Sequence, residues 1–203
     1  MDVREDSSLS DGHLAEELDV LEAAHIPHEI VPGISAACAA SSYAGIPITH
    51  RDTASCVTFV TGQEQADKQQ KTELDYAALA TTPGTLVFYM GVTTAASWSK
   101  SLIENGKSPE TPVAVIRRCS LPDQTTMTGT LGDIGERLWS EELRPPAIVI
   151  VGEVARHAPT QNWFAAQPLF GQTILVTRPA DQAGEMATPL AAMGADVVCQ
   201  PAI

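Results

Sequence analysis

Basic residues are scarce. The chain of 203 residues carries 12 Lys and Arg against 25 Asp and Glu, a formal net charge of −13. A protein that coats nucleic acid needs local cation density, so this balance weighs against that class, while leaving room for an anionic ligand held by a few clustered arginines. Long apolar runs are lacking too. The longest, such as Ala147–Val151, fall far short of the roughly 20 residues a membrane helix requires. The opening stretch Met1 to Ser10 is polar and charged, without the apolar core of a secretory signal. Four cysteines, Cys38, Cys56, Cys119 and Cys199, stand far apart. They form no CxxC pair and no Cys/His cluster at metal spacing, which speaks against a disulfide scaffold and gives no metal site. They read as buried thiols in a reducing cytoplasm.

What is present suits a packed α/β protein. The hydrophobic share is 44% and the mean hydropathy is about zero, enough to bury a core. The length fits one large domain, or one domain and a piece of another. Residues 1–13 read as a polar, disordered lead. Leu14, Leu18 and Leu21 then recur at helical spacing among Glu16, Glu17, Asp19 and Glu22, an amphipathic helix that stops before Pro27. His28–Val31 reads as a short strand. Ser35 to Tyr43 is a charge-free run of small residues, hence a buried helix or one on which something large lies. Cys56–Thr61 is a β-branched strand ending at Gly62. Gln63–Thr72 is a surface loop. Asp75–Ala80 is helical. Thr85–Met90 is continuously apolar, the mark of a strand covered on both faces. The alternation continues with a helix over Thr94–Glu104, strands at Pro112–Arg117 and Met127–Leu131, a helix from Asp133 to Glu142, and a strand at Ala147–Val151. Strands alternating with helices predict an α/β domain with a largely covered sheet over residues 14–154.

Residues 155–168 have the composition of a linker. A fresh strand at Thr173–Thr177, a helix over Ala183–Ala192 and a strand at Val197 to Cys199 then open a second unit over residues 169–203. A domain ending inside such a β-α-β could not bury its sheet, so the expectation is a longer parent protein.

Four segments carry a resemblance. They are IPHEIVPGISAACAASSYAGIPITHRDTASCVTFVTG (Ile26–Gly62), PGTLVFYMGV (Pro83–Val92), SPETPVAVIRRCSLPDQTTMTGTLGDI (Ser108–Ile134) and PPAIVIVGEV (Pro145–Val154). In order and spacing they resemble the uroporphyrinogen-III C-methyltransferases, a branch of the tetrapyrrole methylases. The tail, Leu169–Ile203, resembles the opening of uroporphyrinogen-III synthase. The family's GxGPGDP and GGDP loops are absent from these 203 residues. The resemblance therefore implies the sheet and flanking helices of the family's second lobe, without most of the first, followed by the start of a synthase-like domain.

The resemblance also implies a chemistry: methyl transfer from S-adenosyl-L-methionine to uroporphyrinogen III, toward precorrin-2 in sirohaem and corrinoid synthesis, in a cytoplasmic protein that is a homodimer when complete. Neither nucleic acid nor membrane is an expected partner. Without the first lobe the chain alone is expected to be inactive. The alternatives are a non-catalytic dimerisation or assembly module, and a sibling methylase acting on a corrinoid intermediate. An in-line displacement at a sulfonium needs positioning rather than a nucleophilic enzyme group, and no catalytic residue can be named.

On the family pattern Gly33, Ser35 and Ala36 bind the cofactor. Local sequence alone favours Ser35 as a simple helix N-cap. Tyr89 and Met90 end a strand where open α/β sheets place ligands, and the pattern sets both against the cofactor. Without the match they read as core residues. Cys119 falls where many relatives have a glycine touching adenosine through its backbone, and Ala147 lies near a late adenine-contacting strand. His50 and Arg51 are implied to face the tetrapyrrole. A surface arginine paired with Asp52 is the competing reading. Arg117 and Arg118 are neighbours on a strand, so at most one is expected to point into the cleft.

Overall fold

A computed structural model describes residues 12–62, 74–160 and 162–201. Of the expected lead over residues 1–13, residues 1–11 lie outside the described residues and residues 12 and 13 already belong to the first helix; the expected loop over residues 63–72 lies wholly outside them. The first helix, α1, spans Gly12–Ala23. No strand forms at His28–Val31; residues 24–34 run as exposed, non-regular chain. Pro27 and Pro32 remove two backbone donors there, and among the described residues no strand pairs with the segment. Helix α2 (Ala36–Ala44) ends at Gly45, whose left-handed φ of 68° turns the chain while its N–H closes onto Ser41 and Ser42 carbonyls.

Five strands build the main sheet: β1 (Val57–Thr61), β2 (Thr85–Tyr89), β3 (Pro112–Arg117), β4 (Thr125–Thr130) and β5 (Ala147–Val151). Their order is β1-β2-β5-β3-β4. β1 and β2 are parallel, and β5 runs antiparallel to both β2 and β3. β1, β2 and β3 therefore point the same way, and all three end at one edge, where β5 begins. β4 closes the sheet as the antiparallel partner of β3.

Both faces are covered. Leu86 and Phe88 of β2 join a core with helices α3 (Tyr76–Thr81), α4 (Ala95–Glu104) and α5 (Ile134–Ser140). Val87 of the same strand joins the opposite core, with Ala37, Ala40 and Ala44 of α2 and with Val154 and Ala155 of a 3-10 turn (Glu153–His157). The unbroken apolar run in β2 is thus what two-sided burial demands. Burying large apolar side chains such as Leu86, Phe88, Trp98 and Ile116, all at 0% exposure, stabilises by about 1.5–3 kcal/mol each before entropy is counted.

Two expectations need correction. Cys38, Cys56 and Cys199 are exposed and Cys119 is half-buried, so the thiols are not core residues. Their sequence neighbours are the reason: Cys38 lies on the outer side of α2, and Cys56 and Cys199 lie at strand ends. The stretch over residues 155–168 is not a free tether either. Ala155 and Phe164 are buried, Trp163 Nε1 donates to the Ser42 carbonyl (2.9 Å), and the Phe164 ring meets Tyr43 edge-on at 4.8 Å.

The last segment is a parallel β-α-β of β6 (Thr173–Val176), α6 (Ala180–Ala192) and β7 (Asp196–Cys199). It touches the main sheet's surroundings through Phe170 edge-on to Phe164 at 5.5 Å and through Gly171 N–H to the Pro122 carbonyl at 3.0 Å. Among the described residues no helix is long and apolar enough to cross a membrane.

Candidate functional site

The sheet edge where β1, β2 and β3 end collects most of the residues in question. Ser35 occupies the N-cap position of α2, yet its side chain makes no capping bond. Its Oγ instead meets the Tyr89 phenol oxygen at 2.5 Å. That same phenol accepts the Ala37 N–H at 3.2 Å. The helix's free amide is thus satisfied from β2 rather than from the cap residue, and the hydroxyl is held facing the end of the strand. The simple N-cap reading of Ser35 fails on this geometry. Gly33 and Ala36 flank this contact and are exposed.

The core reading fails for Met90 and holds in part for Tyr89, which packs against the core on the α2 side. Tyr89 is half-buried, and Met90 is 47% exposed. Met90 has φ 51°, a left-handed conformation uncommon for a non-glycine residue. Phe59 of β1 stands edge-on to Tyr89 (6.0 Å, 87°) and is 48% exposed. The sequence reading missed Phe59, because an aromatic inside a β-branched run reads as strand core. Its signal was period-two alternation, which puts it on the side of Val57 and away from buried Val60.

The end of β3 brings in Cys119, and the start of β5 brings in Ala147, which pairs with Arg117. Arg118 and Ser120, on either side of Cys119, both have positive φ, 50° and 67°. Burial pushes the Cys119 thiol up from its ordinary value, which makes it a poor nucleophile. Arg117 and Arg118, neighbours in sequence, both approach one carboxylate. Arg118 Nε lies 2.5 Å from Asp123 Oδ2, and Arg117 Nη1 lies 3.8 Å from the same oxygen. Strand alternation lapses at Arg118 because its φ leaves the β region.

His50 and Arg51 lie elsewhere. Their loop bridges back on itself at Ala54 and leads into the start of β1, the opposite sheet edge from Tyr89. The His50 ring stacks on His157 at 4.3 Å, and its Nδ1 accepts the Asp52 N–H at 3.2 Å. The structure does not bring these two residues together with Ser35, Tyr89 and Met90. A groove of about 560 Å3 between β4 and α5, lined in part by Arg117, Met127 and Arg137, holds none of the expected site residues.

Two measurable outcomes follow from these contacts. Tyr89→Phe strips the phenol from Ser35 and Ala37. It should cost about 0.5–1.5 kcal/mol in urea denaturation and leave the Ala37 N–H unpaired by Tyr89. The Asp123 carboxyl is held below its ordinary value, first by the hydrogen bond from Arg118. Its contribution is therefore present above the unfolded carboxyl's value of about 4 and is lost as pH falls through the lower folded value. Asp123 is exposed, so solvent screening keeps the effect small. Asp123→Asn should flatten this part of the acid limb of a stability–pH profile, and an unchanged slope would remove the pair from the account.

Comparison with known proteins gives concordant likenesses. The family described as Tetrapyrrole (Corrin/Porphyrin) Methylases matches residues 6–135. A siroheme synthase of Tolumonas auensis is 42% identical over 165 residues, which is 81% of this chain and 34% of that protein. A uroporphyrinogen-III C-methyltransferase of Bacillus subtilis is 37% identical over 190 residues, 94% of this chain and 39% of that protein. A crystal structure of a uroporphyrin-III C-methyltransferase from Thermus thermophilus, complexed with S-adenosylhomocysteine, superposes with a TM-score of 0.61 at 32% identity, covering 73% of this chain and 63% of that one. The chain spans about a third of the length of the curated relatives it matches.

Proposed function

The chain belongs to the tetrapyrrole methylases, and we propose that it forms one wall of a site for S-adenosyl-L-methionine in a protein that methylates uroporphyrinogen III at carbon. The observation that carries this reading is the gathering of Ser35, Tyr89, Met90, Cys119 and Ala147, from four separate sequence blocks, at one sheet edge. The groups fit an adenosyl ligand. Ser35 and Tyr89 offer hydroxyls for a sugar or an amino acid, the Met90 and Phe59 side chains offer exposed apolar surface, and the Cys119 segment offers backbone. The methyl donor supplies a sulfonium whose displacement needs alignment, and a wall of this kind aligns rather than reacts. Gly33 and Ala36 belong to the same wall.

His50 and Arg51 are proposed to meet substrate carboxylates from the loop before β1, across a cleft completed by a first lobe that bears the GxGPGDP loop. Val31 and Ile34, 75% and 76% exposed beside α2, support the covering of this edge by that lobe or by a second copy. The β6-α6-β7 unit is proposed to open a synthase-like domain.

The test is a calorimetric titration with S-adenosylhomocysteine, paired with a labelled-methyl assay on uroporphyrinogen III. The 203-residue chain should bind weakly and turn over nothing. The chain joined to a GxGPGDP-bearing first lobe should bind tightly and transfer methyl. Failure of the joined protein to bind the ligand would overturn the proposal.

A further inference from the structure

The loop from Arg118 to Gln124 places Cys119 at the ligand edge, and its conformation is an unfavourable one. Two non-glycine residues with left-handed φ, Arg118 and Ser120, flank Cys119. Such a pair persists only where surrounding contacts over-determine it. Arg118 is fixed by its N–H to the Pro146 carbonyl at 3.0 Å and by its guanidinium on Asp123. Ser120 is fixed by one group. Its N–H donates to Gln124 Oε1 at 3.0 Å.

Gln124 is the unusual member of this loop. It is 6% exposed, one of few buried polar side chains. Its backbone N–H donates to the Leu121 carbonyl at 2.9 Å, which closes the turn. Its Nε2 donates to the Tyr43 carbonyl at 3.2 Å, in the last turn of α2. The other end of α2 carries Ser35 and receives the Tyr89 phenol. One side-chain amide therefore joins the helix that presents Ser35 to the loop that presents Cys119. A buried amide with both ends used is costly to lose and geometrically demanding, which suits it to fixing a register between two elements.

We propose that Gln124 is a positioning residue: it sets the Cys119 backbone at a fixed height against α2, so that the two ends of the adenosyl-binding wall act as one surface. This rests on the reading of that wall as a methyl-donor site. Gln124 touches no ligand itself and acts through Ser120 and Tyr43.

The half-buried Cys119 thiol gives the loop its own reporter. Iodoacetamide labelling of the full chain, followed by mass spectrometry, reads each cysteine separately. Cys38, Cys56 and Cys199 are exposed and serve as rate references. Gln124→Ala should raise labelling at Cys119 by about tenfold or more, with the references unchanged, because the opening is local. Gln124→Glu keeps an acceptor for Ser120 but loses the donor to Tyr43, and should fall between the two. It serves as the test if the alanine variant does not fold. Leu138→Ala, in the core beneath α5 and remote from the loop, controls for general loss of stability and should leave Cys119 slow. Excess S-adenosylhomocysteine should slow Cys119 labelling in the unaltered chain and do so less in Gln124→Ala.

If Cys119 stays slow in both Gln124 variants, or is freed equally by Leu138→Ala, the positioning role is overturned, whatever the ligand does. If the Gln124 variants free Cys119 but the ligand protects it in no variant, the clamp is real and its role toward the methyl donor is overturned, while the cofactor reading stands or falls on the titration of the joined protein.

Discussion

Trp98→Ala should lower the free energy of unfolding by about 3–5 kcal/mol, the range for truncating a buried tryptophan. Trp98 is fully buried. Its indole stacks on Phe88 with centroids 4.4 Å apart and planes within 17°. Phe88 lies on the twice-covered strand β2 and belongs to its core, so the cavity opens against the sheet. The indole Nε1 also donates to the Gly91 carbonyl at 2.7 Å. Gly91 follows Met90, which makes Trp98 the buried post on which the turn after β2 rests. The two contributions can be separated. Trp98→Phe keeps an aromatic face against Phe88 but gives up the hydrogen bond and the volume of the second ring, leaving a buried carbonyl unpaired at a cost of about 1–3 kcal/mol beside a small cavity. Urea denaturation of the two variants should therefore give midpoints in the order unaltered, Phe, Ala. Equal midpoints for Phe and Ala would mean that the stack contributes nothing.

The strands were readable from the sequence where burial and chemistry agree. In β2, β3 and β5 an apolar run bounded by Gly or Pro has no helical period and is too short for a buried helix, so it has one interpretation. The same logic fails at His28–Val31. Ile30 and Val31 are strand formers, but a strand needs a neighbour to take its hydrogen bonds, and among the described residues none pairs with it. Sheet direction was not legible at all. The antiparallel course of β5 between β2 and β3 is set by tertiary pairing, and local pattern carries no sign of it. The linker composition near Trp163 and Phe164 misled for a related reason. Polar spacing residues such as Asn162 are themselves anchors there, with Nδ2 donating to the Tyr43 carbonyl at 2.6 Å.

The site divides along similar lines. Ser35 and Tyr89 were nameable from motif, but their contact across 54 residues was not, and neither was the substitution of a phenol for the helix cap. Gln124 was invisible because a glutamine at the start of a strand ordinarily faces water; only the tertiary position of Tyr43 makes it a bridge. The convergence of Arg117 and Arg118 on Asp123 likewise depends on one backbone angle that no residue type announces.

Gly62→Ala should damage both the sheet and the ligand edge, and it does so through backbone rather than side chains. A Cβ at Gly62 would stand 2.6 Å from the Gly91 Cα and 3.1 Å from the Gly91 N. Neither atom can swing aside as a side-chain tip would. Gly62 is also pinned where it is. Its N–H donates to the Tyr89 carbonyl at 2.7 Å, and its own carbonyl accepts from Thr94 Oγ1 at 2.7 Å. The added methyl must therefore push the end of β1 from β2, or push the Met90–Gly91 turn off its seat on Trp98. Overpacking of this kind costs about 1–3 kcal/mol. Either movement also shifts Tyr89 or Met90, so the affinity of the joined two-lobe protein for S-adenosylhomocysteine should fall by about tenfold or more, since a 1.4 kcal/mol loss at the site already has that effect. The comparison variant is Gly184→Ala. No atom lies within 4 Å of a Cβ there, and Gly184 sits inside α6, so the methyl should stabilise by about 0.4–1 kcal/mol and leave ligand binding untouched. If Gly62→Ala binds ligand as well as Gly184→Ala does, the close approach of Gly62 and Gly91 is a packing detail of the sheet, and the Met90 turn can be displaced without cost to the site.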